Sequence, residues 1–318
     1  MPTAVSADSA KRALFERLID DAGLFPPAEL PMRDAVRHHL RHRESAYWWV
    51  TGRFVVPASR LDEFTAARTP ADGPIELSVI LDSGARGAKG DTVRADLHRI
   101  ERIGELPGVT VTSLEARLPN LPPTAETMQR IVADVAERFP AADVSFWYES
   151  LYNAGWSVPP ETWLAVLANA RAAAPANVTL GAKVRCGGAA AGATPSIDDL
   201  ASFITAAHAH DVPWKASAGL HHPVRGGDVD GGTAQHGFIN VFLAGIALHA
   251  GAVDAASVPD ILADRDARAF VIDPAHAAWR DARIDAGAIA AARERCVAFG
   301  SCSFAEPVND LRELGILL

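Results

Sequence analysis

The sequence predicts a single (β/α)8 TIM-type barrel, and three observations lead there. Short β-rich runs alternate with longer, alanine-rich amphipathic runs along the 318 residues, the order that produces βα units and a parallel sheet. The unit recurs about every 33 to 35 residues through the middle of the chain. Seven well-spaced strands then need only one more to close the sheet and remove its edges. An open doubly wound sheet is the competing arrangement, but no G-x-G-x-x-G motif follows an early strand.

Taken in order, residues 1–45 form a helical lead-in with a helix at 9–20. Strands are expected at 48–56 (WWVTGRFVV), 75–82 (IELSVILD), 109–117 (VTVTSLEAR), 143–149 (DVSFWYE), 177–185 (NVTLGAKVR), 212–218 (VPWKASA) and 297–303 (VAFGSCS). The eighth falls either on GLFP at 23–26 or on AFVIDP at 269–274. Helical patterns cover 91–104, 124–138, 161–173 and 197–210. Pro122, Pro123 and Thr124 mark the second start, and Ser196 caps the last, with Asp198 and Asp199 in its first turn. Residues 225–275, rich in Gly, Asp and Ala, are a loop insertion carrying a helix at 235–250. One domain spans 1–318.

Composition narrows the function classes. With 49% hydrophobic and 22% charged residues the chain is an ordinary globular one. A net charge of −9 and the absence of a long basic run argue against nucleic acid. No segment reaches the roughly eighteen uninterrupted apolar residues of a membrane span, and charges interrupt the N-terminus where a signal peptide is apolar. A cytoplasmic protein acting on a small molecule is expected, with self-association left open. Cys186, Cys296 and Cys302 are odd in number and lack C-x-x-C spacing, so free thiols are expected rather than disulfides or a structural zinc site.

Strand parity locates the chemistry, because residues i and i+2 share a face. Val178, Leu180, Ala182 and Val184 make one apolar face, opposite Lys183 and Arg185; Trp214 and Ala216 lie opposite Lys215 and Ser217. Ile75, Leu77 and Val79 oppose Glu76, Ser78 and Asp82, and Val144, Phe146 and Tyr148 oppose Asp143, Ser145 and Glu149. The helix-packed face of a barrel must be apolar, so the charges converge inside. Asp82, Glu115, Arg117, Glu149, Lys183, Arg185 and Lys215 all fall near C-terminal strand ends, where barrel active sites are built. Ion pairs such as Arg117 with Glu149, or Arg185 with Asp82, would give a structural alternative, but burying so many ions is a poor source of stability.

The two lysines in GAKVRCGG and WKASAGL, 32 residues apart, together with the early LIDDAGLFPPAEL, resemble class I aldolases of the deoxyribose-phosphate aldolase type. With GLFP as strand one, the lysines fall on strands six and seven, as in that family. The resemblance implies that Lys183 forms a Schiff base with a carbonyl substrate, that Lys215 depresses its pKa, and that Glu115 or Asp20 relays protons. Arg185 and Cys186 stand where the family has small hydroxyl residues, and the relay acid is a glutamate. Independently of the resemblance, a lysine is nucleophilic only as the free amine, and a neighbouring cation disfavours its ammonium form. One of the two is therefore expected to titrate well below about 10.4.

His221, His222, His236 and Asn240, following the Lys215 strand, support a rival reading. With Glu115, Glu149 and Asp82 they would hold a divalent metal in a sugar isomerase, epimerase or hydrolase. Only one of two adjacent histidines could be a ligand; hydrogen bonding in a loop and helix capping are the structural readings. Backbone N–H groups at 186–188, 217–219 (Ser217 to Gly219) and 299–303 are placed to receive an anionic, phosphorylated group, with Arg185 or Arg225 for charge. Trp48, Trp49 and Trp147 are expected in the core, and RHHLRHR at 37–43, containing His39, on a solvated helix end. Residues 189–194 read as a loop or a helix lead-in. A non-catalytic small-molecule-binding barrel remains the third function class.

Overall fold

A computed structural model describes residues 9–69, 72–82, 90–118, 123–140, 142–188, 192–226 and 234–317, without the side chains of 90–92. The start of the lead-in, Pro122, part of the 189–194 stretch and residues 227–233 near the start of the 225–275 insertion lie outside the described residues.

Eight strands close a barrel: β1 (Ile19–Asp21), β2 (Thr51–Pro57), β3 (Ile75–Ile80), β4 (Val109–Arg117), β5 (Val144–Glu149), β6 (Val178–Arg185), β7 (Trp214–Ser217) and β11 (Cys296–Ser301). Every neighbouring pair is parallel. The outer layer is made by α2 (Met32–Glu44), α3 (Leu61–Ala67), α4 (Gly90–Gly104), α5 (Ala125–Arg138), α6 (Pro160–Ala172), α7 (Ile197–Ala209), α8 (Phe238–His249), α9 (Val258–Ala263), α10 (Ala286–Arg293) and α11 (Ala305–Glu313). Two caps agree with the sequence: Thr124 Oγ1 accepts from Thr127 N and Ser196 Oγ from Asp199 N.

The eighth strand is neither GLFP nor AFVIDP. It is Ile19-Asp20-Asp21, overlapping the end of the stretch at 9–20 whose pattern reads as helix. Helix α1 (Ala10–Phe15) stops early, and Arg17, with φ +51°, turns the chain into the barrel. Three residues, two of them carboxylates, carry no apolar alternation. AFVIDP instead supplies β8 (Phe270–Ile272), which joins β9 (His276–Trp279) and β10 (Ala282–Asp285) in an antiparallel sheet. This sheet lies within the crossover from β7 to β11 and meets α1 through Ala10 N donating to Pro274 O.

Two aromatic sets fill the two sides of the barrel wall. Trp214 faces outward, between Phe203 of α7 and Phe242 of α8. Trp147 faces inward, and its Nε1 donates to Ser113 Oγ at 3.1 Å. Its ring lies over Gly181, where a Cβ would come within 2.3 Å of the ring and 2.6 Å of Pro213 O. Both neighbours are fixed, so Gly181→Ala should destabilise the barrel by about 1–3 kcal/mol, the range for overpacked cores. A denaturant midpoint unchanged from wild type would show that Trp147 is free to move.

Trp48 departs from expectation: it is 52% exposed beneath the Arg12 guanidinium, because a 3₁₀ turn at Trp48–Val50 precedes β2. The 37–43 run ends a helix as expected but is solvated only in part, with Arg37 and Arg41 exposed. It lies on α2, where His39 is fully buried against Phe54 and His42 Nδ1 lies 3.1 Å from Asp21 Oδ2. The outward carboxylate of β1 draws this helix face inward. Among the described residues no helix is long and apolar enough to cross a membrane.

Candidate functional site

Register and parity assemble the site. Glu149, Lys183 and Lys215 are paired in register across β5, β6 and β7 and project together into the barrel. Glu115 arrives from β4, and Asp20 from β1, whose flanking Ile19 and Asp21 face outward. The result is a chain of alternating charges. Lys215 Nζ lies 2.7 Å from Asp20 Oδ2 and 2.6 Å from Glu115 Oε1. Lys183 Nζ lies 2.7 Å from Glu115 Oε2 and 2.8 Å from Glu149 Oε2.

Glu115 is the hinge of this arrangement, with one carboxylate oxygen on each lysine. Ser78 Oγ also donates to Glu115 Oε1, at 2.7 Å, and Arg53 N donates to Asp20 Oδ1, at 2.8 Å. All five ionic groups are buried. Such a set is tolerable in a low dielectric only because every charge is paired and hydrogen-bonded.

The depression expected of one inward lysine is not what Lys183 shows, because a carboxylate stands between it and Lys215. Burial alone would disfavour the Lys183 ammonium, yet Glu115 and Glu149 outweigh it and raise Lys183 above the usual lysine range. Burial likewise favours protonated Glu115, and Lys183 and Lys215 reverse this, holding its carboxyl well below the usual range.

The two shifts bound a pH window. A depressed carboxylate contributes stability above its unfolded value of about 4.3, lost as pH falls; a raised lysine contributes below about 10.4, lost as pH rises. The melting-temperature difference between wild type and Glu115→Gln should therefore be constant between about pH 4.5 and 10 and shrink on both sides. A difference that keeps growing below pH 4 or so would mean that Glu115 is not held ionised.

Above the charges opens a cavity of about 480 Å³, with Glu115, Lys183, Lys215 and Arg185 among its lining residues. Ser217, Gly219 and His221 also line it. Among the described residues the buried Ser217 hydroxyl has no hydrogen-bond partner. The loops after β6 and β7 nearly touch beside the lysines: a Cβ on Gly187 would sit 2.7 Å from Gly219 Cα, so both positions require glycine. His221 Nδ1 is 3.0 Å from Glu306 Oε2 and 4.0 Å from Cys302 Sγ.

Other candidates lie away from that lining. The Asp82 carboxylate accepts hydrogen bonds from Ser59 N and Oγ rather than meeting Arg185. Arg117 is exposed at the end of β4. His222 Nδ1 meets Asp310 Oδ2 at 2.7 Å. His236 is buried between Pro195 O, 2.8 Å from its Nε2, and the Arg225 guanidinium, and burial pushes it down to about 4. Asn240 accepts from Arg225 N and donates to Ile261 O and Asp264 O, tying α8 to the start of the insertion and to the end of α9. Among the described residues no three His, Cys, Asp or Glu side chains are grouped to hold a metal ion.

Sequence reasoning missed the apolar wall of Phe25, Pro26, Pro27, Val55 and Ile80, and also Gln235. The GLFPP stretch was legible as part of the site once read as the loop after β1 instead of a strand. A compositional signal was also present. Only four lysines, Lys11, Lys89, Lys183 and Lys215, occur among thirty Lys and Arg residues. Two of the four are in this cluster. Comparison with family models, with curated proteins and with solved structures gave no match.

Proposed function

We propose that this barrel is a class I lyase of the aldolase kind, making or breaking a carbon–carbon bond through a Schiff base on Lys183. The observation that carries the reading is the buried Asp20–Lys215–Glu115–Lys183–Glu149 chain, of which Lys215, Glu115 and Lys183 line the cavity. A chain that uses arginine for nearly all its cations supports it too: a guanidinium stays protonated, whereas an amine can lose its proton and attack. The cluster also fits the resemblance to deoxyribose-phosphate aldolases, with acids on β1 and β4 and lysines on β6 and β7.

Chemistry starts from an ammonium. Glu149, 2.8 Å away, takes a proton from Lys183, leaving a free amine beside a neutral acid with no change in the cluster's net charge. The amine adds to the substrate carbonyl carbon, and the acid returns its proton to the departing oxygen, so that water leaves and an iminium remains. The iminium accepts the electron pair of the breaking carbon–carbon bond, and the alcohol proton of the leaving fragment passes to a carboxylate. Protonation of the enamine carbon and addition of water then release the second product and restore the amine. Lys215, between Asp20 and Glu115, supplies the positive charge that keeps Glu115 ionised between steps. The apolar wall keeps bulk water from the reactive nitrogen.

Borohydride with an aldehyde, ketone or oxo acid tests the reading. Irreversible inactivation is expected only when reductant and carbonyl are both present. Full activity after reduction with every carbonyl class, combined with loss of turnover on chelation, would replace this reading with the metal-dependent one.

A further inference from the structure

Among the described cations of the cavity lining, one keeps its hydrogen-bond donors unused. Lys183 and Lys215 each have two carboxylates, and His221 has Glu306. Arg185 differs. It follows Lys183 by two residues on the same inward face of β6, and among the described residues its guanidinium makes no hydrogen bond. Its nearest charge is Glu149 Oε1, 4.0 Å from Nη1. The side chain is 39% exposed, within the cavity lining.

We infer that Arg185 is the specificity-determining residue of this site, receiving the carboxylate of a short oxo acid whose carbonyl is attacked by Lys183. The inference rests on the Schiff-base reading for its carbonyl half, and on Arg185 alone for its anionic half. Glu149 sets the spacing: Lys183 Nζ lies on one of its oxygens, at 2.8 Å, and Arg185 Nη1 nearest the other, at 4.0 Å. The two groups flank one carboxylate, and a short oxo acid, with its carbonyl and carboxylate close together on the chain, suits such a pair.

Charge and shape favour a carboxylate over a phosphate. A guanidinium presents a planar fork that matches a carboxylate with two parallel hydrogen bonds. Three carboxylates, two lysines and Arg185 sum to no net charge, so a monoanion adds one negative charge, whereas a dianion would add two and oppose Glu149 and Glu115 at close range. Ser217, with its unpartnered hydroxyl, lies beside Arg185 in register on β7, and Gln235 lines the same cavity; both offer further donors. The remaining wall of Phe25, Pro26, Val55 and Ile80 suits a short carbon chain.

Competitive trapping by borohydride tests this, with pyruvate, acetaldehyde and glyceraldehyde 3-phosphate as probes and the Lys183 adducts weighed by mass spectrometry. Wild type is expected to prefer pyruvate. In Arg185→Gln the pyruvate-to-acetaldehyde ratio should fall about 10- to 100-fold, and Arg185→Lys, which keeps the charge without the fork, should fall between. An unchanged ratio, or phosphate-bearing aldehyde trapping ahead of pyruvate, overturns the assignment. Lactate, with the carboxylate but no carbonyl, separates the two readings by calorimetry. Lactate binding that disappears in Arg185→Gln, in a protein that traps no carbonyl compound, upholds Arg185 and removes the Schiff base. Absence of lactate binding in a protein that does trap acetaldehyde overturns the carboxylate assignment and leaves the lysine chemistry standing. Absence of both overturns both.

Discussion

Lys183→Met is expected to lower turnover of the carbonyl substrate by about 1,000-fold or more and to abolish the borohydride-dependent adduct. Methionine preserves most of the buried stem but has no nitrogen to bond to carbon. Lys215 does not take over, because its ammonium is held by Asp20 at 2.7 Å and Glu115 at 2.6 Å and is only 2% exposed, against 9% for Lys183. Lys215→Met has a different outcome. It removes the cation between Asp20 and Glu115, so the barrel is expected to lose stability as well as activity. Measured kcat together with a denaturant midpoint separates the two variants. Equal turnover in wild type and Lys183→Met would remove Lys183 from the chemistry.

Glu115→Gln has the largest expected effect on the protein itself. The carboxylate is the only member of the chain bonded to both lysines, and removing one partner from a buried ionic cluster costs about 3–5 kcal/mol. Two ammonium groups then face each other across an amide. Without the charge that holds it above its usual range, Lys183 gives up its proton more easily, and amine-directed reagents should modify it at lower pH than in wild type. Denaturant unfolding and pH-dependent labelling follow the two consequences separately. Wild-type stability with wild-type labelling would mean that Asp20 and Glu149 alone organise the lysines.

The depth of the site was legible from alternation alone. Once the helix-facing sides of β6 and β7 are fixed by Leu180, Ala182, Trp214 and Ala216, Lys183 and Lys215 have no direction but inward. The same rule placed Glu149, whereas Glu115 was singled out by its place near the C-terminal end of its strand. It could not give Glu115 its position between the lysines, because that depends on a register shift between β3 and β4 and on closure of the barrel through β1. Strand β1 itself was hidden: its three residues pair with β11 on one side and β2 on the other, so tertiary hydrogen bonds define it rather than local pattern.

The histidines were overread for a related reason. Adjacency to the Lys215 strand in sequence says where a loop begins, not which way its side chains turn. His222 meets α11 through Asp310, and His236 caps its neighbours at Pro195 and Arg225. Asp82 is drawn sideways to Ser59, where two donors compete successfully with any partner inside the barrel. His221 alone of this group remains in the cavity lining, tied to Glu306.

The central claim is that Lys183 is the nucleophile and Lys215 its buried partner, and locating the reduced adduct by peptide mass spectrometry tests it most directly. With four lysines in the chain the assignment is unambiguous. The account predicts stoichiometric modification of Lys183 with Lys215, Lys11 and Lys89 unmodified, and no adduct in Lys183→Met. An adduct on Lys215, or equal scatter over Lys11 and Lys89, would contradict it.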